Sequence, residues 1–137
     1  FDADLPFFKQ PIKRWLIAPK KQKDASSNHL GFEEIISLSE NWSKNLEVLF
    51  KKGVTRIALL GGAKLVQSLL RSDQIDELQL TLTPKILGGD HTWVPTQINH
   101  LPQVFTTSKA WDFQACKELE GNEIILQYLR NRIATFE

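Results

Sequence analysis

The stretch Arg56-Ile57-Ala58-Leu59-Leu60-Gly61-Gly62-Ala63-Lys64-Leu65-Val66 decides how the rest of the chain is read. Val54 to Leu60 is a run of β-favouring and apolar residues that stops at two glycines, and Leu65, Val66, Leu69 and Leu70 then recur at helical spacing as far as Ser72. Strand, glycine turn and helix are expected in that order. Such a unit brings bare backbone N–H groups and the positive end of a helix dipole to one edge of a sheet, an arrangement suited to phosphate. Neither glycine carries a Cβ, so a diphosphate can approach the main chain closely. The spacing matches neither G-x-G-x-x-G nor the P-loop pattern, which disfavours a standard Rossmann or P-loop site. Taken alone, the glycine pair reads more readily as a tight turn with no ligand than as a nucleotide site.

Toward the N-terminus, Leu5 to Pro11 reads as an extended lead-in and Arg14 to Ala18 as a short buried strand stopped by Pro19. Lys20 to Gly31 is polar and aperiodic, a loop in which Lys20, Lys21 and Lys23 form a solvated charge run. Phe32 to Leu38 reads as a second strand. Ser39 is a candidate N-cap for an amphipathic helix through Trp42, Leu46, Leu49 and Phe50, with Lys51-Lys52 in its last turn and Gly53 beyond.

Toward the C-terminus, Leu78, Leu80 and Leu82 alternate with Gln79, Thr81 and Thr83, a half-buried strand closed by Pro84. After a loop from Lys85 to Pro102, the segments Ser108–Leu119 and Glu123–Arg130 flank Gly121-Asn122 and read as a hairpin. Alternation puts Phe113, Ala115 and Lys117 on one face of its first strand. In the second strand, Ile124, Leu126 and Tyr128 share one face and Ile125 and Leu129 the other, so both sides of the last strand are partly apolar. The expected fold class is α/β, a mostly parallel sheet flanked by helices with an antiparallel C-terminal hairpin.

Composition narrows the function classes. Of 137 residues, 17 are basic and 16 acidic, a formal net charge of +1, so no basic field draws the chain to nucleic acid or to a lipid surface. A single cysteine excludes an internal disulfide and a multi-thiolate metal site, which fits a reducing cytoplasm or organelle stroma. Cys116 is expected to be a buried structural thiol. His29, His91 and His100 lack ligand spacing, so no metal is expected. No apolar run approaches the length of about 20 residues that spans a bilayer. Asp76-Glu77, just after a helix end, are expected to hydrogen-bond the turn rather than to catalyse. Trp15 and Trp42 are expected in the core, and Trp93 is a candidate ligand contact. The chain starts at Phe1 and contains no Met, and an upstream segment is expected.

Leu59-Leu60-Gly61-Gly62-Ala63-Lys64-Leu65, then Ser68-Leu69-Leu70, then Ile75 to Thr83, then Pro84-Lys85-Ile86-Leu87-Gly88-Gly89, resemble the C-terminal half of the riboflavin-pathway pyrimidine reductases, which have a dihydrofolate-reductase-like fold. Order and spacing agree across about thirty residues, far more specific than a glycine pair. The resemblance implies that residues 1–137 are the cofactor-side portion of one reductase domain. It implies NADPH as cofactor, its diphosphate lined by Gly61, Gly62, Ala63, Lys64, Leu65 and Val66. By the same resemblance, hydride passes to the ribosyl carbon of 5-amino-6-(5-phosphoribosylamino)uracil, and the chain forms a homodimer through its terminal hairpin; resemblance to dihydrofolate reductases implies that the Gly61-Gly62 peptide is cis.

Two departures from the family pattern stand out. Leu60 occupies the place where many pyrimidine reductases carry a substrate-facing glutamate, which makes Leu60 a candidate substrate contact and resembles dihydrofolate reductases. Gly89-Asp90-His91-Thr92-Trp93-Val94-Pro95 is also similar to a Gly-Asp-Thr-x-x-Pro stretch of those enzymes. The family's upstream Ser-x-Asp-Gly stretch has no counterpart, and no catalytic residue is assigned. Two alternatives therefore stand beside the first reading: a dihydrofolate- or pterin-type reductase, and a non-catalytic nucleotide-binding dimerisation module.

Overall fold

The computed structural model describes residues 4–19, 31–86, 102, 105 and 107–133. The chain divides into two compact units, Phe1–Thr55 and Arg56–Glu137.

The first unit opens on a single helical turn, α1 (Pro6–Lys9), where an extended lead-in was expected. Pro6 at the first helical position supplies the pre-set φ and has no N–H to leave unpaired, which lets so short a turn form. Strand β1 (Trp15–Pro19) pairs in parallel with β2 (Glu34–Leu38), Ile17 opposite Ile36. Helix α2 (Trp42–Lys51) follows. Its N-cap is Asn41, whose side-chain oxygen accepts from the Lys44 N–H at 3.1 Å; the expected cap, Ser39, has another partner. Ser39 donates its backbone N–H and its hydroxyl to Oδ1 of the buried Asn45, both at 2.8 Å, and its carbonyl accepts from Asn45 Nδ2 at 2.9 Å. An amide can do this because it both donates and accepts, and the clip fixes the helix to the end of β2. Among the described residues of this unit, Ala18, Ile36 and Leu49 are the buried apolar ones; Trp15 and Trp42 are half-buried. Lys52, at the α2 C-terminus, pairs with Glu34 and lies 5.9 Å from the centre of the Trp15 ring.

The second unit holds α3 (Ala63–Arg71) and a three-stranded antiparallel sheet in the order β3 (Glu77–Leu82), β5 (Glu123–Arg130), β4 (Trp111–Leu119). The hairpin turns through Glu120–Asn122, with Asn122 at φ 60°. On one face of the sheet Leu78, Leu80 and Leu82 stand opposite Tyr128, Leu126 and Ile124.

The architecture is mixed α/β, yet the expected mostly parallel sheet does not appear among the described residues. Their strands form one parallel pair and one antiparallel triplet. The difference traces to Val54–Leu60, which joins no ladder there and leaves Ile57 and Leu60 exposed. β-propensity marks a segment that suits a pleated, half-buried surface; it does not supply the neighbour. The hairpin also departs from the expected alternation. Phe113 lies opposite Tyr128 while Ala115 lies opposite Gln127, so Gln114 is an extra residue in a β-bulge. Phe113 therefore shares the face of Tyr128, Leu126 and Ile124, and Ala115 and Lys117 lie on the other.

Candidate functional site

The turn into α3 is built by backbone conformation. Gly61 and Gly62 take φ of 128° and 83°, a region that side chains rarely enter. Space is not the constraint, since a Cβ on Gly61 would meet nothing within 4 Å and one on Gly62 only Leu65 Cβ at 3.8 Å. Both peptides are trans. The expected cis bond is absent because two positive φ angles already turn the chain, without the ~3 kcal/mol that a cis peptide lacking proline costs.

Gly62 caps α3, and its carbonyl accepts from the N–H groups of Leu65 (2.9 Å) and Val66 (3.0 Å). The N–H groups of Gly62, Ala63 and Lys64 find no acceptor among the described residues, and no side chain caps the helix. The first turn carries no acidic residue, and Ala63, Lys64 and Leu65 are exposed. Three donors at the positive end of a nine-residue helix, with a lysine beside them, form a cradle for an anion. A diphosphate fits that donor set. Leu60, the residue before the glycines, is 97% exposed.

The far end of α3 is as specific as the near one. Both long helices end in the same hydrogen-bonding pattern. In α2, Gly53 N–H reaches Phe50 O (2.9 Å) and Val54 N–H reaches Leu49 O (3.1 Å); in α3, Asp73 N–H reaches Leu70 O (2.9 Å) and Gln74 N–H reaches Leu69 O (3.0 Å). The left-handed position is glycine in α2 (φ 89°) but aspartate in α3 (φ 49°), where a side chain costs about 1–2 kcal/mol. Its carboxylate is gripped by Arg130, with Nε to Oδ1 at 2.8 Å and Nη2 to Oδ2 at 3.1 Å. The Arg130 side chain is 3% exposed. Its Nη1 donates to the carbonyls of Ala110 (2.8 Å) and Asn131 (2.5 Å), and its guanidinium lies 4.7 Å from the Phe105 ring centre and 5.9 Å from that of Trp111. Those two rings stack on each other. Arg132 bonds Asp76 Oδ1 at 2.6 Å and the Asp73 carbonyl at 3.0 Å, so the Asp76 carboxylate joins the turn to the residues after β5, where a bond within the turn was expected.

A family model described as the RibD C-terminal domain matches residues 2–119. The chain belongs to that family. Among solved structures, one of a protein from Shewanella sp. PV-4, provisionally assigned to riboflavin biosynthesis, superposes with a TM-score of 0.60 at 15% identity, covering 96% of this chain and 81% of that one. At that identity the likeness is one of fold. A search among curated proteins gives no match.

Within this RibD C-terminal domain chain, Leu60, Gly61 and Gly62 lead into α3 and Ala63–Val66 form its first turn. Trp93, the Gly89–Pro95 stretch and the three histidines lie outside the described residues. Cys116 is exposed, against the expected buried thiol, because its face of the sheet is only partly covered. Among the described residues no helix is long and apolar enough to cross a membrane, and no group of three or more His, Cys, Asp or Glu could hold a metal ion. Sequence reasoning missed Asp73 and Arg130. The available signal was a helix ending in Ser72-Asp73-Gln74 with no glycine to take the left-handed position.

Proposed function

We propose that this chain is the cofactor-side portion of an NADPH-dependent pyrimidine reductase of riboflavin biosynthesis, in a dihydrofolate-reductase-like arrangement. The reading is carried by the uncapped N-terminus of α3, reached through two positive-φ glycines, in a member of the RibD C-terminal domain family. The donors of Gly62, Ala63 and Lys64 hold the cofactor diphosphate, Lys64 adds a cation, and Leu65 and Val66 complete that side of the site. When bound, NADPH supplies the hydride for reduction of the ribosyl carbon of the heterocyclic substrate. No protein nucleophile is required. The chain's own task is to orient the cofactor and keep water from the reacting carbon.

Leu60 contacts the substrate. Its apolar character, together with the Gly89–Pro95 pattern, supports a second reading, reduction of a pterin or dihydrofolate on the same scaffold. The enzyme works in a reducing compartment, as a homodimer. Support for the dimer comes from the antiparallel sheet, where Leu82, Phe113 and Leu129 remain exposed in the single chain.

Oxidation of NADPH by the full protein, followed by absorbance with each substrate in turn, tests the reading. Turnover with the aminouracil phosphate and none with dihydrofolate is the expected result. The reverse pattern selects the second reading, and no oxidation with either removes both.

A further inference from the structure

The anchorage of α3 is uneven along its length. Its first turn is exposed, its middle is half-buried, and only Leu69 and Leu70 near its end are buried. No side chain caps its N-terminus, and the segment leading into it joins no ladder among the described residues. A polar tether holds the other end of this helix, where Asp73 meets Arg130 through its carboxylate and Arg132 through its carbonyl. The tether ends on the sheet: Arg130 is the last residue of β5, its backbone N–H bonds Asp76 O at 2.7 Å, and its guanidinium is braced by the Ala110 carbonyl and the Phe105 and Trp111 rings. An aspartate holds a backbone conformation that the equivalent position of α2 assigns to glycine, and it gains the two-pronged grip in return.

We propose that Asp73 and Arg130 are positioning residues for the Gly61-Gly62 turn, fixing from its far end the direction in which α3 points its free N–H groups. This rests on the reading that the turn receives NADPH. A nine-residue helix is about 13 Å long, so a tilt of about 10° at the tethered end displaces the donors by about 2 Å. A misplacement of that size is enough to weaken hydrogen bonds to a diphosphate, which need heavy-atom distances near 3 Å. The pair contacts no cofactor atom; it acts through the helix.

The test uses the full protein and two variants. Asp73→Gly keeps the helix end, since glycine is the residue α2 uses there, and removes only the carboxylate. Arg130→Lys keeps the buried cation and loses the planar fork. Two readouts are taken: the amide resonances of Gly61 and Gly62 in protein with isotope-labelled glycine and no ligand, and the steady-state constants for NADPH. Both variants should move the two glycine resonances and raise KM for NADPH about fivefold or more, with kcat at saturation within about twofold. Loss of folded protein alone would lower kcat and leave KM where it was. Unmoved glycine resonances in both variants would overturn the positioning role. Absence of NADPH binding by the unsubstituted protein, with the resonances still moved by Asp73→Gly, would instead remove the cofactor reading and leave the tether standing.

Discussion

Phe113 packs edge-on against Tyr128 across the β4–β5 ladder, their ring centres 5.7 Å apart and their planes at 68°. Two residues later Ala115 faces Gln127, and the whole difference between these pairings is Gln114. Without the bulge, every β4 residue on one side of it would change face.

Deletion of Gln114 should therefore be far more harmful than its exposed side chain implies. It forces either the Phe113 and Trp111 side to leave its partners or the Ala115–Leu119 side to slip. Loss of the Trp111 packing around Arg130 alone should cost roughly 2 kcal/mol. Urea denaturation checks this; Gln114→Ala, which keeps the extra residue, should lie within about 0.5 kcal/mol of the parent. Equal midpoints for the deletion and the parent would show that the bulge does not set the register.

A pH effect follows from Glu33. Hydrogen bonding from the Arg14 backbone N–H, then from its own N–H, holds its carboxyl below the ordinary value of 4.5, and the Arg14 charge adds a smaller push in the same direction. The folded state thus binds this proton less readily than the unfolded one. Its stabilising contribution is present above the unfolded pKa and is lost as pH falls through the depressed folded value. Glu33→Gln should make the decline of stability below pH 4.5 shallower, with some slope remaining from Glu47, which Lys51 lowers in the same way. Urea midpoints measured from neutral to acid pH test this, and an unchanged slope would contradict it.

The homodimer is tested at Leu129. This side chain stands between Glu77 on β3 and Asp112 on β4, and it is exposed. Leu129→Lys gives the monomer two carboxylate neighbours and takes an apolar contact from the surface, so the fold is kept while association is opposed. Sedimentation equilibrium at micromolar concentration should give a dimer mass for the parent and a monomer mass for the variant. A monomer mass for the parent would end the proposal.

Several elements were legible because their cause is local. The stripe Trp42–Phe50 and the Gly53 stop describe α2, and Gly121-Asn122 between two β-rich runs describes the hairpin. The uncapped start of α3 was readable too, since a strand-like run that stops at two glycines before a helical stripe offers no capping side chain. What escaped depends on partners remote in the chain. Asp73 and Arg130 are 57 residues apart, and neither alone signals the other. The bulge at Gln114 shifts an alternation that otherwise looks regular. Val54–Leu60 has the composition of a strand, but composition cannot state whether a ladder partner exists.

In the proposed function, the start of α3 holds the cofactor diphosphate. Gly62→Val is a blunt probe, because a branched side chain at φ 83° strains the turn itself. Ala63→Glu is cleaner: the position is exposed, and a carboxylate in a first helical turn suits the helix dipole, so the fold is retained. That carboxylate would sit where the diphosphate must lie. Calorimetric titration of NADPH into the full protein and the variant should show affinity falling tenfold or more, about 1.4 kcal/mol, with an unchanged melting temperature. Equal affinity in a folded Ala63→Glu protein would contradict the account.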